Sequence, residues 1–275
     1  MFVAPLTELS WAYQLHYYLC FRTYRRQQLF ASKNNSHTLL EIVNEICSRH
    51  DYHLLQSKSY ADQLRSLVSL RPDQSISDVV RVVKTNAARE CRVQLKLDTP
   101  VWARGFLARS IGRMRISAVR QYLAEQAEHH GYAARLLPPI YSYRATRPDE
   151  LRSPRAVFDL NYHIVFATFR RKGIFTSGLG QALADYWLNV AAKRGFAIDQ
   201  LTIVPDHIHL LIRTLPSVSI EQCALSLLNN GQHLIVKQYP QILIDVGLRQ
   251  LWQPSSYAGT CGVISTALMK KWLSE

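Results

Sequence analysis

The sequence predicts an α+β protein built from two related domains, because several patterns occur twice at a nearly constant spacing. Residues 13–26 read YQLHYYLCFRTYRR, and residues 160–171 read LNYHIVFATFRR. Both stretches are apolar and aromatic, hold a histidine near the start and end on two arginines, which is typical of a β-strand. In each copy an amphipathic segment then predicts a helix, at residues 38–49 and 179–194.

The repetition continues through the rest of each half. Residues 62–72 read DQLRSLVSLRP and residues 206–216 read DHIHLLIRTLP, at an offset of 206 − 62 = 144. Ser75 and Ser219 then each stand where a helix is expected to begin. Ordered matches at a nearly constant offset indicate duplication followed by divergence.

The duplication and the composition predict three segments. We expect one domain at residues 1–128 and a second at residues 157–275. Residues 129–156 contain several prolines and arginines, which is typical of an extended linker with no core of its own. A last match, between residues 102–112 and 252–262 at an offset of 252 − 102 = 150, closes the repeat.

Charge and cysteine content narrow the range of partners. The net charge of +13 favours a polyanionic partner, nucleic acid first, although a basic surface that serves only solubility is the alternative. The five cysteines are scattered and form no C-x-x-C pair, which predicts reduced thiols. No signal peptide or apolar run of membrane length is evident, so we expect a cytoplasmic protein with no membrane partner.

Two histidines are the strongest candidates for chemistry. The segment 204–212 reads VPDHIHLLI and predicts a buried strand, on which His207 and His209 share one face. Two neutral imidazoles so placed form half of a divalent metal site, with Asp206 expected to support them. A bare His-x-His pair is more often a pair of surface or hydrogen-bonded histidines, so its context decides.

That context resembles a known family. The DHIHLL string, with YHIVF before it and Leu-Trp and Thr-x-Gly after it, resembles the single-tyrosine HUH transposases of the IS200/IS605 group and their domesticated relatives that act on repetitive extragenic palindromes. The resemblance covers nearly all of residues 157–275 and, more weakly, residues 10–127. It implies two ferredoxin-like or RRM-like antiparallel sheet domains, paired within one chain as the subunits of a family dimer are paired.

The resemblance also implies a reaction. In the family the two histidines bind Mg²⁺ or Mn²⁺, a tyrosine on the last helix attacks DNA, and a glutamine four residues later completes the metal site. Tyr122 and Gln126 match these positions in the first half, where Gln63 and Arg65 replace the histidines. A guanidinium has no lone pair to offer a cation, so this copy of the metal site is lost.

The second half shows the reciprocal loss, because Trp272 stands at the tyrosine position. We therefore predict one composite site with Tyr122 as the nucleophile and His207, His209 and Gln126 as metal ligands, and we expect Trp272 to face Gln63 and Arg65. Decay of both copies is the alternative. Tyr257 is a rival nucleophile, although its position matches a strand of the family and favours a core or substrate-contacting role.

The predicted function is metal-dependent cleavage and transfer of single-stranded DNA, with a hairpin in the substrate and a 5′-phosphotyrosine intermediate. The alternative is a catalytically altered accessory or regulatory protein that binds a DNA or RNA hairpin. Seven basic residues are candidates for phosphate contacts, although any one of them could be an ordinary solvated charge: Arg25, Arg26, Arg170, Arg171, Lys84, Lys270 and Lys271.

Overall fold

The computed structural model describes residues 3–112, 114–125, 140–147, 150–245, 247 and 250–274, apart from the side chain of residue 272. In the first half the elements are β1 (Ser10–Gln14), β2 (His16–Arg22), α1 (Lys33–Arg49), β3 (His53–Tyr60), β4 (Gln63–Ser69), α2 (Ile76–Gln94), β5 (Phe106–Ile111) and α3 (Ile116–Ala124). In the rest of the chain they are β6 (Tyr141–Arg144), β7 (Ala156–Asp159), β8 (Asn161–Thr168), α4 (Ser177–Arg194), β9 (Phe196–Val204), β10 (His207–Thr214), α5 (Ile220–Gln238), α6 (Pro240–Asp245), β11 (Trp252–Cys261) and α7 (Thr266–Ser274).

The strands form two sheets of the same design, and the predicted α+β class is confirmed. One sheet has the order β3-β4-β2-β5-β7, and the other has the order β1-β11-β8-β10-β9-β6. The central pairs β2–β4 and β8–β10 are antiparallel, as are β3–β4 and β9–β10. The two copies therefore repeat the same arrangement of strands as well as the same sequence patterns.

The two halves exchange their first strands. Strand β1 pairs in parallel with β11 of the second half, and β7 pairs in parallel with β5 of the first half. The chain crosses between sheets at single buried residues, Leu15 and Leu160. The prediction of one continuous strand at residues 13–26 is therefore wrong. An apolar run reports burial but does not report which sheet each part of it joins.

The last helix of each half is exchanged as well. Val119 and Leu123 of α3 pack on Leu211 and Cys261 of the second-half sheet. In the same way α7 packs on the first-half sheet, with Met269 and Leu273 against Leu67 and Ile111. The opposite faces of the two sheets are covered by α1 with α2 and by α4 with α5, which bury the main core.

Helix starts follow the side chains that cap them. Ser75 and Ser219 cap α2 and α5 as predicted, and Ser219 forms a capping box with Gln222. The helices expected at residues 38–49 and 179–194 begin earlier, at residues 33 and 177. Ser32 and Thr176 accept hydrogen bonds from the first turn of each, a signal that hydrophobic periodicity alone does not include.

The two halves also meet where β5 and β11 end. The hydroxyl of Ser110 donates to the carbonyl oxygen of Cys261 at 2.7 Å, and the hydroxyl of Thr260 donates to that of Ile111 at 2.6 Å. A Cβ atom on Gly112 would lie 1.9 Å from the Thr260 carbonyl oxygen. This approach of two backbones requires glycine and holds the two halves in register.

The expected linker is partly structured. Residues 126–139 and 148–149 lie outside the description, but Tyr141–Arg144 forms the edge strand β6 against β9. Tyr141 and Tyr143 pack against the core, and their alternation with polar residues fits an edge strand. All five cysteines are buried and unpaired. Within the described ranges no helix combines the length and apolar composition needed to cross a bilayer.

Candidate active site between the two halves

The two candidate histidines lie at the start of β10. Pro205 and Asp206 form the turn after β9, so the prediction of one continuous strand over residues 204–212 is wrong at its start. His207 and His209 are 2% and 4% exposed, and their ring centroids are 4.9 Å apart. Both side chains lie on the face of the sheet that α3 covers, because residues two apart on a strand share a face.

Asp206 fixes the orientation of His207. Its Oδ1 lies 2.7 Å from Nδ1 of His207, and its Oδ2 accepts from Nε of Arg171 at 2.8 Å. A carboxylate only accepts, so a neutral His207 donates from Nδ1–H and keeps the lone pair on Nε2. This is the arrangement in which imidazoles bind metal ions, with an acidic partner on the outer nitrogen.

A third histidine belongs to the same cluster. Nε2 of His163 on β8 lies 3.1 Å from Nδ1 of His209, and the two rings stack at 5.3 Å with an angle of 16°. Burial lowers the pKa of His163 to about 4, so the ring is neutral at neutral pH and its Nε2 can accept a hydrogen bond from Nδ1–H of His209. His209 then presents the lone pair of Nε2, as His207 does.

Sequence reasoning did not assign His163 to the site. The repeat pattern instead matched His163, in residues 160–171, with His16, in residues 13–26. In the sheets, however, Tyr18 lies opposite Leu67 as His163 lies opposite Leu211. The arginine pairs are offset by 145 (170 − 25), and this offset also matches Tyr18 with His163. It was the sequence signal that could have aligned the two strands correctly.

The structure brings Tyr122 of the first half to these histidines of the second half. Its half-buried ring lies with its centroid 5.5 Å from that of His209 and 6.0 Å from that of His163, edge to face with both. The packing of α3 on β9 and β10 produces this approach. Gln126, the expected third metal ligand, lies outside the described residues.

Tyr257 borders the cluster from the other side. Its ring centroid is 5.8 Å from that of His163, and the side chain is 41% exposed on β11. A cavity of about 180 Å³ next to it is lined by residues that include His163, Tyr257 and Val119. Tyr257 therefore lies at the mouth of the site, on a strand that runs beside the histidine strand β8.

The arginine pairs take one conformation in both halves. Arg26 and Arg171 form ion pairs with Asp62 and Asp206, and all four arginines are exposed. All four have positive φ angles between 50° and 59°, which is uncommon for residues other than glycine. The strained turn places one arginine of each pair beside an aspartate, and both arginines of each pair stay exposed to solvent.

The three candidate lysines differ in their exposure and contacts. Lys270 and Lys271 are exposed on α7. Lys84 instead donates to the carbonyl oxygens of Ala103 and Gly105, at 2.5 and 3.0 Å. Lys84 is half-buried, and these two contacts tie it to the loop before β5, while burial lowers its pKa to about 8.

In the first half, the two positions equivalent to His207 and His209 hold side chains that make other contacts. Gln63 and Arg65 lie on β4 where His207 and His209 lie on β10. The guanidinium of Arg65 lies 4.3 Å above the Tyr60 ring, and Gln63 accepts a hydrogen bond from the Cys20 thiol at 3.4 Å. The expected contact of these residues with Trp272 involves a side chain outside the description.

The described residues contain no group of three or more His, Cys, Asp or Glu side chains arranged to hold a metal ion. The two imidazoles of β10 nevertheless have the right chemistry for two ligands of a divalent cation, because Asp206 and His163 occupy their outer nitrogens. The site thus combines a pair of imidazoles with a tyrosine delivered by the other half of the chain.

Comparison with known proteins gives the class. A family model described as "Transposase IS200 like" matches residues 11–126 and again residues 156–275. The ISDra2 transposase TnpA of Deinococcus radiodurans is 25% identical over 129 residues, which cover 46% of this chain and 92% of that protein. A crystal structure from Deinococcus radiodurans R1, of a protein classed as a transposase, has 20% identity and a TM-score of 0.34, covering 45% of this chain and 95% of that one.

The chain belongs to the IS200-like transposase family and contains two copies of the family's domain. Transposases of this family bind DNA and transfer its strands. The match to ISDra2 TnpA covers 46% of this chain and 92% of that protein, as expected if one copy here corresponds to one whole relative.

Proposed function

We propose that this chain cleaves and rejoins single-stranded DNA at one active site assembled from both halves, with Tyr122 as the nucleophile. The observation that carries the proposal is the placement of the Tyr122 ring edge to face against His209 and His163. The reciprocal replacements support it, because Gln63 and Arg65 occupy the histidine positions in one half and Trp272 the tyrosine position in the other.

The proposed reaction is a transesterification. The Tyr122 oxygen attacks the scissile phosphorus and forms a 5′-phosphotyrosine, while the bond to the 3′ oxygen breaks. The phenol proton is lost to solvent, and the leaving 3′ oxygen takes up a proton and becomes a free hydroxyl. Attack by another 3′-hydroxyl reverses the step and joins strands without an external energy source.

The chain's own residues have separate tasks in this scheme. His207, His209 and Gln126 are the proposed ligands of Mg²⁺ or Mn²⁺, which when bound polarises the phosphate as a Lewis acid. Asp206 and His163 hold the two imidazoles in the orientation that points Nε2 into the site. The packing of α3 on β9 and β10 keeps the tyrosine within reach of the phosphate.

The second candidate function is binding of a nucleic-acid hairpin without cleavage, and the lost metal site of the first half favours it. One assay separates the two. Labelled single-stranded DNA carrying a hairpin is incubated with the protein and Mn²⁺, and denaturing gels are examined for a covalent adduct. An adduct supports the nuclease, whereas tight binding with no adduct and no cut product supports the accessory role.

His163 gives a prediction within this scheme. His163→Phe removes the acceptor of the His209 Nδ1–H, so Mn²⁺ affinity should fall by about 10- to 100-fold, as is usual for such outer partners. His163→Gln keeps an acceptor oxygen and should retain more of the affinity, and the exposed His50→Phe should have no effect. Titration calorimetry with Mn²⁺ measures all three, and unchanged affinity in His163→Phe would show that the contact plays no part.

A further inference from the structure

Each half has an open groove at the same place on its sheet. The first groove, of about 650 Å³, includes Arg22, Arg104 and Arg155 and crosses the sheet at Cys20, Leu107 and Val157. The second groove, of about 320 Å³, crosses at Val165, Tyr257 and Ala12. In each sheet the three named residues lie opposite one another on neighbouring strands, and the strands correspond between the two halves. The two grooves therefore occupy equivalent positions.

The equivalent grooves differ in charge. Where the first groove has Arg22 and Arg155, the second has Ala167 and Ser10 at an offset of 145 (167 − 22 and 155 − 10). The position of Arg104 corresponds to Pro254 at an offset of 150 (254 − 104). The arginines therefore distinguish the half that has lost its metal site.

Three further cations lie on the same face of the first sheet. Arg65 lies opposite both Cys20 and Lys58 in the strand register, and Arg109 lies opposite Tyr18. Their equivalents in the second half are His209, Thr202 and Gly259. Asp159 on β7 lies opposite Arg109 in the strand register and accepts a hydrogen bond from the side-chain amide of Asn161.

Within the described ranges, these six cations have no carboxylate partner. The six are Arg22, Lys58, Arg65, Arg104, Arg109 and Arg155. The buried Nε of Arg65 has no hydrogen-bond partner in the described part of the chain. Like charges gathered on one face repel each other and attract a polyanion.

The distribution of these cations fits a strand better than a single phosphate. The set extends from β3 to β7, and five strands about 4.8 Å apart span roughly 19 Å. Tyr60, which lies under the charged groups of Arg65 and Lys58, offers an aromatic surface on the same face. Cations along a groove with an aromatic ring are the usual means of holding single-stranded nucleic acid without reading its sequence.

We infer that the first groove, together with Arg65, binds a segment of single-stranded DNA by its phosphates and does not cut it. This inference rests on the proposed function, which makes single-stranded DNA the substrate. The lost metal site then holds a second segment, or a second strand, while the intact site acts on the first. Arginine at the histidine position supplies a fixed positive charge in place of a site for a bound cation.

The test compares three triple variants of the full chain by fluorescence anisotropy with a labelled single strand of about 40 nucleotides, over a range of salt concentrations. The groove variant is Arg22→Gln with Arg104→Gln and Arg155→Gln. The control removes the same charge from exposed positions on helices α1, α2 and α4, as Lys33→Gln with Arg92→Gln and Lys193→Gln. A charge-preserving variant carries lysine at all three groove positions.

The groove variant should bind at least about 10-fold more weakly at low salt, and its log–log salt slope should fall by about 2, since each phosphate contact on a single strand contributes about 0.7. The control should keep the wild-type slope, and the lysine variant should keep most of the affinity. Equal losses in groove and control variants would overturn the inference, because net charge alone would explain binding. No binding of the wild-type chain at low salt would instead overturn the proposed function.

Discussion

Replacing Tyr122 by phenylalanine should abolish the covalent protein–DNA adduct and leave DNA binding nearly intact. The substitution removes the phenolic oxygen, which is the proposed nucleophile, and keeps the ring that packs against His163 and His209. The expected effect on adduct formation is therefore complete loss rather than a reduced rate. Denaturing gels of the adduct and anisotropy of the bound strand measure the two quantities on the same protein.

Tyr257→Phe is the matched control for this variant. Its ring also lies near His163, but it stands on β11 at the mouth of the site. We expect the Tyr257 variant to form the adduct. Loss of the adduct in Tyr257→Phe, with its retention in Tyr122→Phe, would reassign the nucleophile and would remove the role proposed for α3.

The paired substitution His207→Ala with His209→Ala should eliminate both divalent-ion binding and cleavage. The two imidazoles are the only metal ligands proposed on β10, and both are buried beside the tyrosine. Without them nothing on this strand holds the cation that polarises the phosphate. Calorimetry with Mn²⁺ and a cleavage assay test the two losses separately.

A control at the equivalent strand of the first half is available. Gln63→Ala alters the position that corresponds to His207 and should leave Mn²⁺ binding and cleavage unchanged. Truncating buried histidines also leaves cavities, so melting temperatures of both variants are compared with that of the wild type. Undiminished cleavage by a folded His207→Ala, His209→Ala protein would contradict the metal site.

Much of the fold could be predicted from the repetition in the sequence. The duplicated strand patterns and the serines before α2 and α5 give the element types and their order. The exchange of β1 and β7 could not be predicted in this way. It depends on which sheet a strand joins after Leu15 or Leu160, and that choice is made by contacts far apart in the chain.

The candidate site was predicted in part. The spacing of His207 and His209 on a strand places them on one face, and the resemblance to the family points to Tyr122. His163 was missed because its contact with His209 is made between neighbouring strands, across β8 and β10. The contribution of Asp206 could be anticipated from its place next to His207, but its pairing with Arg171 required the turn geometry.

The differences between the two halves give the protein an asymmetric character. A symmetric enzyme with two complete sites can hold two cut ends on two tyrosines at once. With one composite site, this chain is expected to hold one end covalently, which favours nicking, end attachment or single rejoining events. We expect the basic first groove to hold uncut DNA beside the reaction.

The central claim is that one active site is assembled within a single chain, and mixing two inactive variants tests it most directly. Tyr122→Phe lacks the nucleophile, and His207→Ala with His209→Ala lacks the metal ligands, so the two proteins together contain every group of the site. If the site forms within one chain, the mixture stays inactive and forms no adduct. Recovery of the adduct in the mixture would contradict the account, because the tyrosine of one chain would then serve the histidines of another.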